Sequence, residues 1–431
     1  MLNYTLEVSE MSSHKKNLRF NRLGPFLLPL LAIFLCSCSD NPTSPPSASF
    51  DLTNAEKTLI ESDNKFGLKL FREINATQGD VNIFVSPLSI SMALGMTLNG
   101  ADGSTLEAME QTLELSGLTL EEINESYRHL IDLLTQLDPL VQFDIANSIW
   151  YREDFQEPEA EFLANCGDYF DALVTRLNFT DPNAAATINA WVDENTNGKI
   201  KQIVQAPINP LTVMFLINAI YFKGMWKYQF DENLTQDDSF FLSDGSEISC
   251  NMMAQNARHK YCINDRFQSV DMPYGDGAFT MTVFLPRLDV DLDAFIATME
   301  PDSLERWLQN LSGDSVDVYL PRFTLEYELS LNDALTALGM AIAFSPSGAD
   351  FSKMYEDADI YISAVRHKTF VKVNEEGTEA AAVTSVVEGT TSGDDTFPPV
   401  FYANRPFVFM IRENESGTIL FIGKIMDPTA E

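Results

Sequence analysis

The sequence predicts an α+β fold, and three observations lead to this prediction. The chain has 431 residues, of which 45% are apolar and 11% aromatic, which is enough for a large core. Helical periodicity dominates the first half of the chain and strand-like runs dominate the second half. The two kinds of segment do not alternate regularly, as they would in a doubly wound parallel sheet.

The predicted helices begin early in the chain. In Glu56–Ile74 the residues Leu59, Phe66 and Leu70 recur near helical spacing. Ser86 is a predicted N-cap and Pro87 a predicted first-turn residue of the next helix. Further helices are predicted at Gly103–Leu113, Leu120–Leu137 and Glu157–Ala172, and from Asp181 through Trp191 to near Gly198, with a strand at Asp144–Tyr151.

The most informative segment is Val373–Ser385, which reads VNEEGTEAAAVTS. Surface loops are usually rich in Pro, Asn, Asp and Gly, whereas this segment has the composition of a strand. Gly377 near its start can adopt dihedrals that are closed to other residues. Because alternate strand residues share a face, one face would carry only small or β-branched uncharged side chains: Thr378, Ala380, Ala382, Thr384 and Val386. Such a segment suits a strand that slides between existing strands.

Five further motifs occur in order along the chain. They are IFVSPLSISMAL (Ile83–Leu94), LINAIYFKGMWKYQF (Leu216–Phe230), MTVFLP (Met281–Pro286), VYLPRF (Val318–Phe323) and RPFVFMIRENESGTILFIGKIMDP (Arg405–Pro428). With Val373–Ser385, these motifs resemble the serpin family from about Leu52 to Pro428. The resemblance implies a serpin fold with a large, mainly antiparallel central sheet, additional sheets, about eight or nine helices and an exposed reactive-centre loop.

The resemblance also implies a mechanism. A protease attacks the loop as substrate, and the cleaved loop inserts into the main sheet, carrying the distorted acyl-enzyme with it. The predicted partner is a serine protease, or alternatively a cysteine protease, held in a covalent complex by a monomeric inhibitor that is not an enzyme and uses no cofactor. The implied hinge of the loop comprises Glu375, Glu376, Gly377, Thr378, Ala380, Ala381 and Ala382.

Two further sets of residues follow from the same resemblance. A polar sheet-opening cluster beneath the main sheet would contain Ser86, Ser89, Asn218 and His367. An insertion point for the loop would contain Trp226, Arg322 and Glu375, with a salt bridge between the last two holding the sheet closed. For His367 both the resemblance and the strand-like sequence around it indicate a structural role.

The reactive bond has two candidates. Counting forward from Gly377 by the family's usual spacing gives Thr391-Ser392, whereas counting back from the PPVFYANRPF segment gives Asp395-Thr396. Thr391-Ser392 is preferred because the fourteen residues from Thr378 would span roughly 46 Å at about 3.3 Å each. This bond would suit elastase-like or subtilisin-like proteases, and the alternative would suit an Asp-specific one. Insertion would place Glu388 on the same inward face as Thr378, and burying an unpaired carboxylate there is costly.

Two other functions remain open from the sequence. A non-inhibitory serpin would act as a binding, carrier or structural protein, but Thr378 and the alanines after it disfavour this, because a charged or bulky residue there would block insertion. A hydrolase is disfavoured because the chain has no Gly-x-Ser-x-Gly, His-Glu-x-x-His or phosphate-loop motif.

The N-terminus resembles an export signal. Residues 1–37 combine a basic region, which includes Lys15 and Arg22, with the apolar run Leu23–Phe34, too short for a stable bilayer anchor. Leu35-Cys36-Ser37-Cys38 resembles a bacterial lipobox with Cys38 as the lipidated residue, although a plain signal peptide is the alternative. Residues 38–51 would form a polar tether and residues 52–428 a single domain. Ser39 after Cys38 resembles an outer-membrane sorting signal, and the exported protein would face the periplasm or the cell exterior. Met11 is an alternative to Met1 as the first residue of the translated chain.

Charge and cysteine content exclude several partners. The net charge is −35, and removing residues 1–37, with four basic and two acidic residues, leaves 24 minus 61, or −37. Such an acidic chain disfavours nucleic acid and anionic lipid surfaces, so the only expected membrane attachment is the lipid on Cys38. Three cysteines remain, Cys166, Cys250 and Cys262, so at least one thiol is expected to be unpaired within the monomer. No metal site is expected, because the sequence has no Cys-x-x-Cys motif.

Overall fold

The computed structural model describes residues 51–356, 358–379 and 398–430. The predicted signal peptide, Cys38 and nearly all of the tether lie outside these ranges. So do Ala380, Ala381 and Ala382 of the hinge and both candidate reactive bonds, Thr391-Ser392 and Asp395-Thr396. Within the described ranges, no helix has the length and apolarity that a bilayer span requires.

The described residues contain nine α-helices, which agrees with the predicted number. They are α1 (Asn54–Gln78), α2 (Pro87–Leu98), α3 (Gly103–Thr112), α4 (Leu120–Gln136), α5 (Ala160–Phe170), α6 (Ala184–Asn195), α7 (Leu292–Ile296), α8 (Pro301–Gln309) and α9 (Asn332–Leu335). At α2, Ser86 accepts a hydrogen bond from the backbone N–H of Ser89 and Pro87 occupies the first turn. The predicted N-cap at Ser86 is therefore present.

Two predicted helices are shorter than expected. The helix predicted over Glu157–Ala172 begins only after Pro158, whose ring disfavours helical dihedrals in the preceding residue. It ends at Phe170 because Asp171 adopts the left-handed conformation, with φ of 49°. The next predicted helix begins at Ala184 rather than at Asp181, since the Asp181 carboxylate instead accepts a hydrogen bond within a turn.

The strands form two sheets, and the smaller one has six strands. Its order is β10-β11-β12-β4-β2-β3. All neighbours are antiparallel except β2 and β3, which are parallel. The members are β2 (Val141–Arg152), β3 (Ala172–Leu177), β4 (Met214–Met225), β10 (Phe323–Ser330), β11 (Arg366–Val373) and β12 (Gly377–Thr378).

The second sheet has nine strands. Along its main path the order is β1-β15-β14-β8-β7-β6-β9-β13, and β5 pairs with β6 off this path. Every residue of β8, β14 and β15 is buried, which explains their nearly continuous apolar sequences. The members are β1 (Ile83–Val85), β5 (Gln236–Phe241), β6 (Glu247–Ile263), β7 (Phe267–Pro273), β8 (Phe279–Pro286), β9 (Ser312–Pro321), β13 (Val400–Tyr402), β14 (Phe407–Glu413) and β15 (Ile419–Ile425).

Helix α2 connects the two sheets, because it packs against β4 of the smaller sheet and β15 of the larger one. Phe84, just before this helix, stacks on Phe409 and Phe421 with ring centroids 5.5 and 5.1 Å apart. A separate apolar cluster, which includes Ile188 and Ile217, packs α6 against the six-stranded sheet. The predicted α+β class is confirmed by this arrangement of helices around two sheets.

Candidate functional site at the hinge of the six-stranded sheet

The chain leaves β11 through a tight turn and returns to the same sheet as β12. Asn374 stabilises the turn, because its side-chain oxygen accepts hydrogen bonds from the backbone N–H groups of Glu376 and Gly377, at 3.2 and 3.1 Å. Its own N–H donates to the Gly377 carbonyl at 3.0 Å. The turn therefore folds the first residues of the predicted hinge back onto the sheet.

Strand β12 lies between β11 and β4. Thr378 is opposite Val373 of β11 on one side and Gly224 of β4 on the other. In the described part of the chain, β11 and β4 have no direct ladder pairing with each other. The hinge thus occupies the position at which an additional strand would begin.

The position after the turn requires glycine. Gly377 has φ of 155°, and a Cβ atom there would lie 2.1 Å from the carbonyl oxygen of Gly224. Any side chain at this position would therefore overlap the backbone of β4. A side chain at position 224 would also be too close to its neighbours, since a Cβ atom on Gly224 would lie 2.9 Å from the Tyr274 ring.

Thr378 faces the interior at the start of the inserted stub. Its side chain is buried, and its hydroxyl lies 2.7 Å from the hydroxyl of Tyr274. The Tyr274 ring stacks on Trp226 with centroids 4.4 Å apart. This small hydroxyl therefore fits a closed space between two strands and an aromatic pair, which leaves no room for a long side chain.

Trp226 joins β4 to the hinge turn. Its indole N–H donates to the carbonyl of Asn374 at 2.9 Å, and its backbone N–H donates to the carbonyl of Glu376 at 2.8 Å. The structure therefore places Trp226 at the turn, beside the position at which the loop would enter the sheet.

Arg322 and Glu375, the other members of the predicted insertion point, form an ion pair. The Nε atom of Arg322 lies 2.6 and 2.7 Å from the two carboxylate oxygens of Glu375, which the Thr235 hydroxyl also contacts. The Glu375 side chain is 3% exposed and that of Arg322 is 39% exposed. Because Glu375 is buried, removing Arg322 would leave its carboxylate without its cation, a change that costs up to about 3–5 kcal/mol when a pair is fully buried.

Three of the four predicted sheet-opening residues meet below the hinge. The backbone N–H of Ser86 donates to Nε2 of His367 at 3.0 Å, and the Ser86 hydroxyl donates to the carbonyl of Leu420 at 2.7 Å. Ser89 donates its N–H to the Ser86 hydroxyl at 3.3 Å. Burial lowers the pKa of His367 to about 3, so the imidazole is neutral and Nε2 can accept. His367 here connects β11 to the start of α2.

Asn218 does not join this group, contrary to the single cluster that the sequence predicted. It donates instead to the side-chain oxygen of Asn147 at 2.7 Å, directly opposite in β2. Asn147 in turn donates to the carbonyl of Phe170 at 2.7 Å. No hydrogen bond within the described ranges links Asn218 to Ser86 or His367, and the side-chain oxygen of Asn218 has no hydrogen-bond partner among the described residues.

Sequence reasoning missed several contacts of this site. Tyr274, Gly224 and Thr235 surround the hinge, while Asn147 and Thr369 complete the polar groups below it. The Thr369 hydroxyl donates to the carbonyl of Phe84 at 2.5 Å. Gly224 lies within the motif Leu216–Phe230 and Thr369 lies on β11, but no pattern in the sequence shows which residues they contact, so only the assembled fold brings these side chains together.

The cysteines offer no reactive or metal-binding centre in the described residues. Cys166, Cys250 and Cys262 are all free thiols, which answers the question that their odd number left open. Burial raises the pKa of Cys166 to about 12 and that of Cys250 to about 11. Within the described ranges, no group of three or more His, Cys, Asp or Glu side chains is placed to hold a metal ion.

Comparisons with a family model and with known proteins all indicate the same protein family. The sequence model of the family described as Serpin (serine protease inhibitor) matches residues 61–428. Neuroserpin of Gallus gallus is 33% identical over 395 residues, which is 89% of this chain and 94% of neuroserpin. Serpin B8 of Homo sapiens is 34% identical, covering 86% of this chain and 99% of that protein.

Solved structures agree with this match. The native-state crystal structure of the thermophilic serpin tengpin has a TM-score of 0.77 at 32% identity, covering 85% of this chain and 94% of tengpin. Thyroxine-binding globulin in complex with thyroxine has a TM-score of 0.77 at 28% identity, covering 86% of this chain and all of the other. The family match, the relatives and the shared fold together establish that this chain belongs to the serpin family.

Proposed function

We propose that this protein is an irreversible inhibitor of serine proteases that traps the acyl-enzyme by inserting its cleaved reactive loop into the six-stranded sheet. One observation carries the proposal. Strand β12 already lies between β11 and β4, so the residues after Thr378 would extend an existing antiparallel pairing. The protein would be consumed in one reaction and would not act as an enzyme.

The register of β12 supports full insertion. Thr378 is opposite Gly224, and counting along the antiparallel register brings residue 388 opposite Met214, the terminal residue of β4. Glu388 would therefore reach the far edge of the sheet, where water can solvate its carboxylate. This position removes the difficulty that its charge posed for insertion.

The proposed reactive bond remains Thr391-Ser392, with Asp395-Thr396 as the second choice. Cleavage at Thr391 leaves a segment long enough to run past the end of β4 and to carry an attached protease to the opposite pole of the domain. A threonine at this position fits proteases with shallow pockets for small residues, such as elastase-like and subtilisin-like enzymes. A cysteine protease is a less favoured target of the same loop.

We also propose that the protein is lipidated on Cys38 and attached by this lipid to a bacterial outer membrane. The composition of residues 1–51 supports this, since an apolar run, a lipobox-like segment and a Pro-containing polar tether follow one another. The tether would hold the inhibitory domain away from the bilayer and leave its reactive loop accessible to proteases.

A protease panel tests the inhibitory function. The detergent-solubilised full chain is incubated with pancreatic elastase, subtilisin, trypsin and an Asp-specific protease, and the products are separated under denaturing conditions. The proposal expects a complex that survives denaturation with at least one small-residue-specific protease, together with a released C-terminal peptide that begins at Ser392. A peptide that begins at Thr396 would select the second bond, whereas rapid cleavage of the loop without any stable complex would contradict inhibition.

A further inference from the structure

Glu379, the residue that follows β12, has an unusual conformation. Its φ is +58°, in the left-handed region that non-glycine residues seldom adopt. Its side chain is only 3% exposed. Among the residues that the structure describes, none forms a hydrogen bond of normal geometry with either carboxylate oxygen. Both the backbone and the buried charge are costly, and such outliers persist where the surrounding structure holds them.

Two polar side chains surround this carboxylate. The Nζ atom of Lys199 lies 3.3 Å from Oε1 of Glu379. The hydroxyl of Tyr221 is close enough that the Glu379 carboxylate adds to the effect of burial in raising the pKa of Tyr221. The charge of Glu379 is therefore compensated mainly by one cation, with a tyrosine hydroxyl beside it.

The neighbours of Glu379 come from three different elements. Lys199 lies in the turn after α6, and its ammonium group is 4.9 Å from the centroid of the Phe370 ring on β11. Tyr221 lies on β4, and the backbone N–H of Glu379 donates to the carbonyl of Lys372 on β11 at 3.0 Å. Glu379 therefore connects β11, through its backbone N–H, with the turn that follows α6, through its carboxylate.

We propose that Lys199 is a positioning residue for the hinge. It holds Glu379 so that Gly377 and Thr378 stay between β11 and β4 before any protease arrives. The inference rests on the proposed inhibitory function, for which it supplies the starting point of insertion. A segment that is already aligned begins to insert faster than a free loop, because the loss of entropy on ordering its first residues has already occurred.

The kinetic consequence concerns the fate of the acyl-enzyme. After cleavage, insertion of the loop competes with hydrolysis of the acyl bond, and only insertion gives a trapped protease. The Lys199–Glu379 pair would act on insertion but not on the first attack, which takes place at the proposed reactive bond further along the sequence. Loss of the pair should therefore increase the fraction of inhibitor cleaved without trapping, while the rate of loop cleavage stays the same.

Charge substitutions in the full chain test this inference. The variants are Lys199→Ala, Glu379→Ala and the charge exchange Lys199→Glu with Glu379→Lys. The matched control is Lys201→Ala, which removes an exposed lysine two residues further along the same turn. The expected result is about tenfold faster amide hydrogen exchange at Thr378 and Glu379 in the single variants, with restoration in the charge exchange and no change in the control.

The same variants are then titrated against pancreatic elastase and subtilisin. Lys199→Ala should raise the number of inhibitor molecules consumed per trapped protease several-fold, and the charge exchange should lower it again. Wild-type exchange rates in Lys199→Ala at both hinge amides would overturn the positioning role. If the wild type traps neither protease, that result counts against the proposed inhibition of such proteases, while the exchange measurement still decides the role of Lys199.

Discussion

The hydroxyl of Thr378 lies 2.7 Å from the hydroxyl of Tyr274, inside the sheet between β11 and β4. A residue of the proposed reactive loop is thus already a buried part of the sheet, with pairing on both sides. This relationship connects the sequence of the hinge to the proposed mechanism, because it shows which side chains can occupy the space between the strands.

Thr378→Arg should convert the inhibitor into a substrate. A guanidinium group cannot enter the closed space beside Tyr274 without losing its hydration, so insertion would stop at its first step. We expect cleavage at the same bond with the protease left active, measured by residual protease activity and by the loss of the denaturation-stable complex. Thr378→Ser keeps the hydroxyl and should still inhibit. Undiminished trapping by the arginine variant would contradict insertion at this position.

Gly377→Ala should displace the hinge from the sheet. The added methyl group would lie 2.1 Å from the Gly224 carbonyl oxygen, so β12 could not keep its place. The control is Gly417→Ala, which also has positive φ but no atom within 4 Å of the added Cβ. We expect a loss of about 1–2 kcal/mol in the Gly417 variant from its positive φ, and in the Gly377 variant a larger loss together with faster hydrogen exchange at Thr378. Equal exchange in the two variants would mean that the hinge tolerates a side chain there.

The buried His367 should make stability depend on pH. Its pKa is about 3 in the folded protein and 6.5 in the unfolded chain, so below pH 6.5 the unfolded state binds more protons. This stabilising contribution is complete above pH 6.5 and decreases by about 2 kcal/mol by pH 5. Asp63, whose pKa rises to about 7 because of burial, acts in the opposite direction, since its contribution is lost as pH rises through 7.

His367→Gln isolates this effect because glutamine keeps an acceptor for the Ser86 N–H but does not titrate. Denaturant unfolding at pH 7 and pH 5 should show a smaller loss of stability in the variant than in the wild type. His259, buried with its pKa lowered to about 4, shifts both proteins equally and cancels in the comparison. An identical pH dependence in the two proteins would show that His367 can be protonated without cost.

Cys38→Ala should release the protein from membranes. The lipid on Cys38 is the proposed anchor, and the charge of residues 38–431, 24 minus 61 or −37, is repelled by anionic headgroups. Cells that express the wild type or the variant are fractionated, and the membranes are washed with high salt. We expect the wild type in the pellet and the variant in the soluble fraction. Retention of both in the pellet would require a different anchor.

The sequence predicted the parts of this site that are local. The Ser86 cap and the small residues of the hinge are visible in short motifs, since each depends on residue type and spacing. The Arg322–Glu375 pairing joins residues 53 apart and was expected only from the resemblance to serpins. The contacts of Tyr274, Lys199 and Tyr221 could not be predicted in this way. They depend on which strands flank the hinge and on how the turn after α6 lies over them.

Two sequence-based expectations needed correction for the same reason. Asn218 was assigned to the His367 group, but the register of β4 and β2 places it opposite Asn147, to which its side-chain N–H donates. The alternation in Val373–Ser385 predicted a regular strand, whereas the backbone of Glu379 has a φ of +58° and its carboxylate is buried beside Lys199. The positions of Asn218 and Glu379 both depend on contacts between segments far apart in the sequence. The alternation of residues along one strand does not reveal these contacts.

The thermal midpoint of the cleaved protein tests the central proposal most directly. The loop of the full chain is cut near Thr391 by a protease that is not trapped, and the midpoints of the intact and cleaved forms are compared. Insertion would add a strand paired on both sides between β11 and β4, so the midpoint should rise; the resemblance to serpins implies a rise of tens of degrees. An unchanged or lower midpoint would mean that the cleaved loop stays outside the sheet and would contradict inhibition by insertion.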